Sequence, residues 1–512
     1  MTDLLKRADE RLASLSSRVQ RHPALAPVAV GVLALVVSLV GITTPSIWYD
    51  EAATITAVTR SWPELWLMLQ SVDAVHGAYY VLIHAIVDVV GYSPFAIRAP
   101  SAVATGVTAA LTVLLARHFT TERLAVLAGV VFCLLPRATW MGIEARSYAM
   151  SALFAVLVTL VFVIARRSTT RAWWVVYGVT IVVGCLFFIY LALVVVAHAV
   201  TMVWWLATQR REAVPVFRRW LAASAASAVA ILPFAATVVG QSGQLSWIDP
   251  LSRETVRYVF RTQWFYGSTE FAIAGWALMI LAAIALFRRA RGFSLIAVVV
   301  PLLIVPTASL LVATELYSPI YSPRYLVMCI PFVAILMAAA VAAIPSRPLI
   351  VVTVASLVAL AVPSFVETRL PEAKQESSWS EVAQFVADER RSESAEGTTA
   401  IIYGWVRYHP TATSRVIAYS YPAPFDGTVD VTLDTPAGQT GQLWETFHPL
   451  EDSLDRLDGT DVAYLITSVK RDLRDDTAAT LDTIGWEVTG EWSFTDVNVV
   501  RYEPGAPESA SR

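Results

Sequence analysis

Two adjacent acids open the first polar stretch of the chain, in Trp48-Tyr49-Asp50-Glu51-Ala52. An apolar run ends just before them, so both stand where a spanning helix would leave the hydrocarbon. A carboxylate placed there can take the proton from a hydroxyl while that hydroxyl attacks an electrophilic carbon, such as the anomeric carbon of a sugar. A solvated surface beside lipid head groups carries acid pairs of the same kind. Farther along comes Asp73-Ala74-Val75-His76-Gly77-Ala78-Tyr79-Tyr80. His76 can face a phosphate, assist proton transfer, or simply hydrogen-bond at an interface. Gly77 lets the chain turn into the next helix. Glu144-Ala145-Arg146-Ser147-Tyr148 and Tyr321-Ser322-Pro323-Arg324-Tyr325-Leu326 each supply an arginine. Its permanent charge and forked donors suit a phosphate, although Arg146 beside Glu144 equally fits a structural ion pair. Tyr321 and Tyr325 flank Arg324, and tyrosine is common at membrane interfaces in any case. Between these segments, Arg253, Arg257 and Arg261 recur at helical spacing, near Trp247, Asp249 and Trp264. That stripe suits lipid phosphates or a cover over an acceptor.

The elements that position these residues are membrane helices. Of the 512 residues 56% are hydrophobic and 15% charged, with a mean hydropathy of +0.57. Soluble domains carry about 25% charged residues. The net charge is −3 and no basic patch appears, which excludes a nucleic-acid partner. Cys133, Cys185 and Cys329 all lie in apolar runs and read as packing residues. The only lysines are Lys6, Lys374 and Lys470, an arginine bias that fits a GC-rich bacterial genome. The N-terminal stretch is too long and amphipathic for a cleavable signal peptide.

A spanning helix needs about 20 apolar residues. Spans are expected near 27–43, 99–116, 124–140, 148–165, 172–189, 190–207, 220–239, 271–287, 293–313, 325–344 and 348–365, eleven in all. The uncharged stretch 172–207 is too long for one helix and is divided in two. The apolar stretch 78–90 reaches only about 20 Å and contains His84 and Asp88, so it reads as an interfacial helix. Cytoplasmic loops should be rich in Lys and Arg. With the N-terminal Lys6, Arg7, Arg11, Arg18 and Arg21 inside, eleven spans put Arg117/Arg123, Arg166/Arg167/Arg171, Arg210/Arg211/Arg218/Arg219 and Arg288/Arg289/Arg291 in the cytoplasm. If 78–90 crossed, each of these clusters would move outside. The same count puts 44–98, 141–147, 240–270, 314–324 and the tail from about 367 on the outer side.

Four segments follow: 1–26, a cytoplasmic N-terminal segment; 27–366, a transmembrane domain; 367–502, an outer α/β domain; and 503–512, a disordered tail. In the tail, Ser380–Arg391 and Leu443–Leu457 read as helices, and Thr399–Trp405, Val462–Thr467 and Trp492–Tyr502 as strands. This domain packs or guides substrate; it has no glycine motif for a nucleotide.

Over roughly 27–365 the chain resembles the GT-C fold glycosyltransferases, closest to the protein O-mannosyltransferase-like family that includes the aminoarabinose transferases of lipid A. The resemblance rests on Asp50-Glu51 after the first span, His76-Gly77-Ala78-Tyr79-Tyr80, Arg98-Ala99-Pro100-Ser101-Ala102, Glu144-Ala145-Arg146-Ser147-Tyr148, and Arg324-Tyr325-Leu326 before a proline-bearing span. Order and spacing carry it, not any single motif. Where many members have Pro-Pro-Leu-Tyr-Tyr after the histidine, this chain has Gly77-Ala78-Tyr79-Tyr80.

The resemblance implies an α-helical polytopic enzyme that moves a sugar from a polyprenyl-phosphate donor by inverting single displacement. It implies Asp50 as catalytic base with Glu51 in support. Arg146 and Arg324 would hold the lipid phosphate with His76 and Tyr325 near it, and Asp73, Tyr79, Glu144, Tyr148 and Tyr321 would support them. The arginine bias and outer tail resemble actinobacterial members, which use decaprenyl-phosphate mannose or arabinose for cell-envelope glycans and glycoproteins. The acceptor is then a glycan, lipid or protein. No closed metal-ligand set is visible, and a divalent cation is compatible because members of the family differ on metal. A transporter or lipid flippase is the main rival. It would place ionisable groups near mid-membrane, often within repeats, whereas these charges cluster at the outer mouth. A scaffold without catalysis is a second rival, against which the intact Asp50 counts.

Overall fold

Apolar runs of bilayer length become helices because a helix satisfies its own backbone in hydrocarbon. The computed structural model of the chain describes residues 23–288, 290–392, 397–407 and 411–505. Among these, eight helices are long and apolar enough to cross a membrane: Pro94–Arg117, Tyr148–Arg167, Ile189–Thr208, Arg210–Gly240, Thr269–Phe287, Leu295–Leu316, Pro323–Ala342 and Arg347–Glu367. The chain is a multi-pass membrane protein. The other three expected spans fall on shorter helices, Leu25–Leu39, Glu122–Leu134 and Ala172–Phe187. Glu122–Leu134 stops because Leu135 precedes Pro136 and is extended, as a residue before proline prefers. A new helix, Pro136–Met141, starts there. The run 172–207 does divide, at the extended residue Phe188. The short apolar stretch is a single helix, Gly77–Val90. The basic residues Lys6, Arg7, Arg11, Arg18, Arg21 and Arg289 lie outside the described residues.

Contacts divide the chain into two units. One comprises the residues up to Ile42, Val75–Tyr79 and Arg98–Val366; the other comprises Thr43–Ala74, Tyr80–Ile97 and the chain from Glu367 onward.

The first unit is a helical membrane body. Its centre is the helix Ile330–Ala342, buried from Ile330 to Val341. Arg210–Gly240 and Arg347–Glu367 are largely exposed and apolar, as lipid-facing helices are. Gly31 and Gly106 let two helices touch: a Cβ on either would stand 2.9 Å from the other's carbonyl oxygen. Polar side chains pin the bundle. Buried His198 meets Thr159 Oγ1 at 3.2 Å and Tyr177 Oη at 3.0 Å, and Trp220 Nε1 donates to Tyr177 Oη.

The second unit contains a five-stranded sheet: β1 (Thr399–Tyr403), β2 (Val429–Asp430), β3 (Val462–Ser468), β4 (Trp486–Ser493) and β5 (Val497–Pro504), in the order β2-β1-β3-β5-β4. β1 runs parallel to β2 and β3; β5 is antiparallel to β3 and β4. Its core joins Ala400, Ile402, Leu465, Val500 and Tyr502 to Leu481 and Trp486. The helix expected at Ser380–Arg391 is Trp379–Ser392. Three expectations are corrected. Leu443–Leu457 is not a helix but a bridge and two short 3₁₀ turns after Pro449, which fixes its own φ and removes a donor. The single strand read at Trp492–Tyr502 is a hairpin, β4 turning into β5 where Phe494 N donates to Val497 O. Glu503 and Pro504 continue β5 opposite Glu487 and Trp486, so the chain past 502 stays ordered this far; residues from 506 lie outside the described set.

The first polar stretch belongs to this unit and forms two helices, Tyr49–Val58 and Trp62–Ser71. It is tied to the tail by hydrogen bonds across more than 300 residues. Ser46 N donates to Pro371 O, Ser377 Oγ to Ile47 O, Trp444 Nε1 to Tyr49 Oη, and Arg60 Nη2 to the carbonyls of Gln442 and Leu443.

Candidate active site

The candidate residues fall into an acidic group in the second unit and a basic group in the first. Asp50 and Glu51 occupy the first turn of the helix Tyr49–Val58. Negative charge is favourable there because the unpaired N–H groups of a helix start point at it. Their environments differ. Glu51 is completely buried and Lys374 Nζ reaches its Oε1 at 2.7 Å, in a pair with side chains 0% and 3% exposed. Asp50 stays half-buried. Asp73 is buried with φ 57°, a left-handed conformation uncommon outside glycine, and accepts a 2.6 Å hydrogen bond from Tyr80 Oη. Lys374 is followed by Gln375 and Glu376, also left-handed at φ 56° and 60°.

In the membrane unit His76 is the hub. Arg146 Nη2 lies 3.0 Å from His76 Nε2, and Ser147 Oγ lies 3.4 Å from His76 Nδ1. Burial, then the charges of Arg146 and Arg324, hold the imidazole well below its ordinary pKa. It is therefore neutral near pH 7. Arginine can only donate, so Nε2 accepts and the proton sits on Nδ1, facing Ser147. Glu144, Arg146 and Tyr148 are all buried, and Tyr148 opens the helix Tyr148–Arg167. Tyr79 is fully buried in the same unit.

Arg324 is the second residue of a 3₁₀ segment, Pro323–Cys329, and its guanidinium lies 4.7 Å from the Trp247 ring centroid. Tyr325 is stacked on Tyr190 at 5.2 Å and meets Phe188 edge-on, so the break in 172–207 builds an aromatic seat for it. Tyr321 Oη donates to Gln263 Oε1 at 3.0 Å, and Gln263 donates to Thr307. The arginine stripe at 253–261 does not form. Residues Tyr258–Thr262 make a π turn, and Arg261 instead donates to the Gly267 carbonyl, while Arg257 pairs with Glu254 on an exposed face.

The sequence reading missed two charged residues. Arg137 lies just after Pro136 within the expected span 124–140 and is buried. Its guanidinium sits 4.7 Å from the Trp140 ring and 4.8 Å from Tyr266, and it donates to Thr262 O. Glu144, Tyr148 and Arg324 are within its electrostatic reach. The available signal was a charge inside an apolar run, which is rarely retained without a task. Lys374 was visible as one of three lysines in the chain, but nothing local linked it to Glu51. Among the described residues no group of three or more His, Cys, Asp or Glu side chains is gathered to hold a metal ion.

No family model and no curated protein matches the sequence. Solved structures do match. ArnT from Cupriavidus metallidurans bound to undecaprenyl phosphate superposes with a TM-score of 0.60 at 14% identity, covering 93% of this chain and 97% of that one. The archaeal oligosaccharyltransferase AglB from Archaeoglobus fulgidus, in complex with an inhibitory peptide and a dolichol-phosphate, gives 0.51 at 12% identity, covering 94% and 74%. The fold is GT-C. At these identities the likeness concerns architecture, and the GT-C chain's chemistry has to be argued from its own residues.

Proposed function

We propose that the protein is an inverting glycosyltransferase that takes a sugar, mannose or arabinose, from a polyprenyl-phosphate donor at the outer face of the cytoplasmic membrane. The acceptor is a component of cell-envelope glycan or glycoprotein. The observation that carries this reading is that Arg146 and Arg324 both act on a neutral His76, with Arg137 within electrostatic reach of Arg324, on a GT-C fold. Buried like charges repel, and a phosphate anion is the ligand that turns that repulsion into binding. The ArnT structure of the same fold is bound to undecaprenyl phosphate, which supports a lipid-phosphate donor here.

In this reading the acceptor oxygen bonds to the anomeric carbon as the bond from that carbon to the phosphate oxygen breaks. The acceptor proton passes to Asp50. The polyprenyl phosphate leaves with one more negative charge, which the arginines stabilise. His76 keeps Arg146 in place by accepting its hydrogen bond. Glu51 is buried and held by Lys374, which gives it a supporting role, and half-buried Asp50 is the proposed base. A divalent cation is not required by this scheme.

The test is a transfer assay with labelled polyprenyl-phosphate mannose and arabinose on purified protein. Asp50→Asn should lower the transfer rate by about 10²- to 10⁴-fold while the protein still elutes as folded. A variant that folds and transfers at the normal rate removes Asp50 as the base. If no lipid-linked donor is turned over by the wild type, the transferase reading fails.

A further inference from the structure

Gln263 is fully buried in the membrane unit, directly after the π turn Tyr258–Thr262. We propose that it is a positioning residue for the phosphate site: it ties the segment that leads into Arg324 to the segment that holds Arg137. The proposal rests on the reading of that site as the seat of a lipid phosphate.

A buried amide is costly unless both of its ends are satisfied. Here both are. Oε1 accepts a 3.0 Å hydrogen bond from Tyr321 Oη, and Nε2 donates at 3.0 Å to Thr307 Oγ1. Thr307 Oγ1 donates its own proton to the Leu303 carbonyl at 3.1 Å, so towards Gln263 it can only accept. That fixes which end of the amide faces Tyr321.

The backbone around Gln263 is constrained as well. Its N–H donates to Tyr258 O at 2.8 Å, across the wide spacing of a π turn. Such turns are rare and frequent at functional sites. Immediately before it, Thr262 O accepts from Arg137 Nη2. Three residues on, Tyr266 is left-handed at φ 49°, with its ring 5.4 Å from that of Trp140 and 4.8 Å from the Arg137 guanidinium. One short segment thus gives Arg137 both a carbonyl and an aromatic face.

On the other side of the amide stands Tyr321. Its N–H and that of Ile320 donate to Thr314 Oγ1 at 2.8 and 3.1 Å. Arg324 follows three residues later, with its Nε 3.4 Å from Ser322 Oγ and its guanidinium over Trp247. Arg324 lies within electrostatic reach of Arg137. Two such charges push their segments apart until an anion lies between them. The Tyr321–Gln263 hydrogen bond opposes that separation and keeps the arginines set for a phosphate before it binds.

The test uses the full chain in lipid nanodiscs, with undecaprenyl phosphate as the probe. Gln263→Met keeps the volume and deletes both hydrogen bonds. Tyr321→Phe deletes one oxygen, and it decides the matter if Gln263→Met does not fold. Each should weaken undecaprenyl phosphate binding about tenfold, the scale of one buried hydrogen bond. In an Arg324→Ala background neither should weaken it further, because the residue they position is gone. A packing role alone would lower Tm and affinity alike in both backgrounds. Structures of the variants should show Arg324 displaced from Trp247 while Arg146 stays on His76. Binding that neither variant weakens overturns the proposal. So does a loss that persists in the Arg324→Ala background, or Arg324 unmoved in both variant structures. Arg324 displaced in the variants of a protein that binds no undecaprenyl phosphate supports the positioning role and overturns the lipid-phosphate reading separately.

Discussion

The two units treat buried charge in opposite ways. In the membrane unit, like charges collect: Arg137, Arg146 and Arg324 lie within electrostatic reach of one another or of one neutral histidine. In the second unit several buried charges are held in ion pairs. Glu51 is held by Lys374, and Arg415 makes a bidentate contact with Asp430 and a 2.8 Å contact with Glu445. Burying a matched pair roughly breaks even, whereas breaking it leaves a stranded charge. Gathering cations works against the fold, so it persists where an anion is to be bound. Matched charges therefore report on architecture and gathered ones on ligand.

Mutations can break this contrast, and the largest effect should come from the matched side. Lys374→Met leaves Glu51 buried and unpaired and should cost about 3–5 kcal/mol of stability, read as a lower Tm. Adding Glu51→Gln should recover part of the loss, because both charges are then gone. If Lys374→Met melts like the wild type, the pair is not structural. On the gathered side the pattern should reverse. Arg146→Ala or Arg324→Ala should reduce kcat by about 10²- to 10³-fold with a smaller loss of Tm than Lys374→Met. A fall in Tm at normal activity would make these arginines architectural and erase the contrast.

A smaller effect is expected within the second unit. Tyr80→Phe removes the 2.6 Å hydrogen bond to Asp73 and should cost about 1.5–3 kcal/mol, measurable by thermal denaturation. The smallest effect is a pH dependence. His76 titrates lower in the folded chain than in the unfolded one. The unfolded state then binds more protons below the ordinary histidine pKa of about 6.5, so stability is full above that value. It should fall as pH drops below it, by at most about 1.4 kcal/mol per pH unit. His76→Gln should remove that part of the slope, and an unchanged profile would show that His76 is not the group responsible.

Much of the membrane body was legible in the sequence because hydropathy and loop charge are local quantities. The short run that became the helix Gly77–Val90, the need to divide 172–207, and the arginines in Glu144–Tyr148 and Tyr321–Leu326 could be read without a fold. Errors arose where a local pattern had two solutions. Arg253, Arg257 and Arg261 fit a helix stripe until a π turn moved the last of them. Leu443–Leu457 has helical spacing, but Pro449 and short turns break it up.

Asp50–Glu51 shows where sequence stops. The sequence alone determined that two acids stand together at the end of an apolar run, within a chain of membrane composition. Their residue types and adjacent positions did not distinguish them; only the family resemblance favoured Asp50 as the base. Only the tertiary structure brought Lys374 from 323 residues away to bury Glu51 in an ion pair. It likewise joined the first polar stretch to the tail as one unit. Such pairings depend on the free energy of burying partners remote in sequence, which no local spacing records, whereas the period and length of a helix are written in consecutive residues.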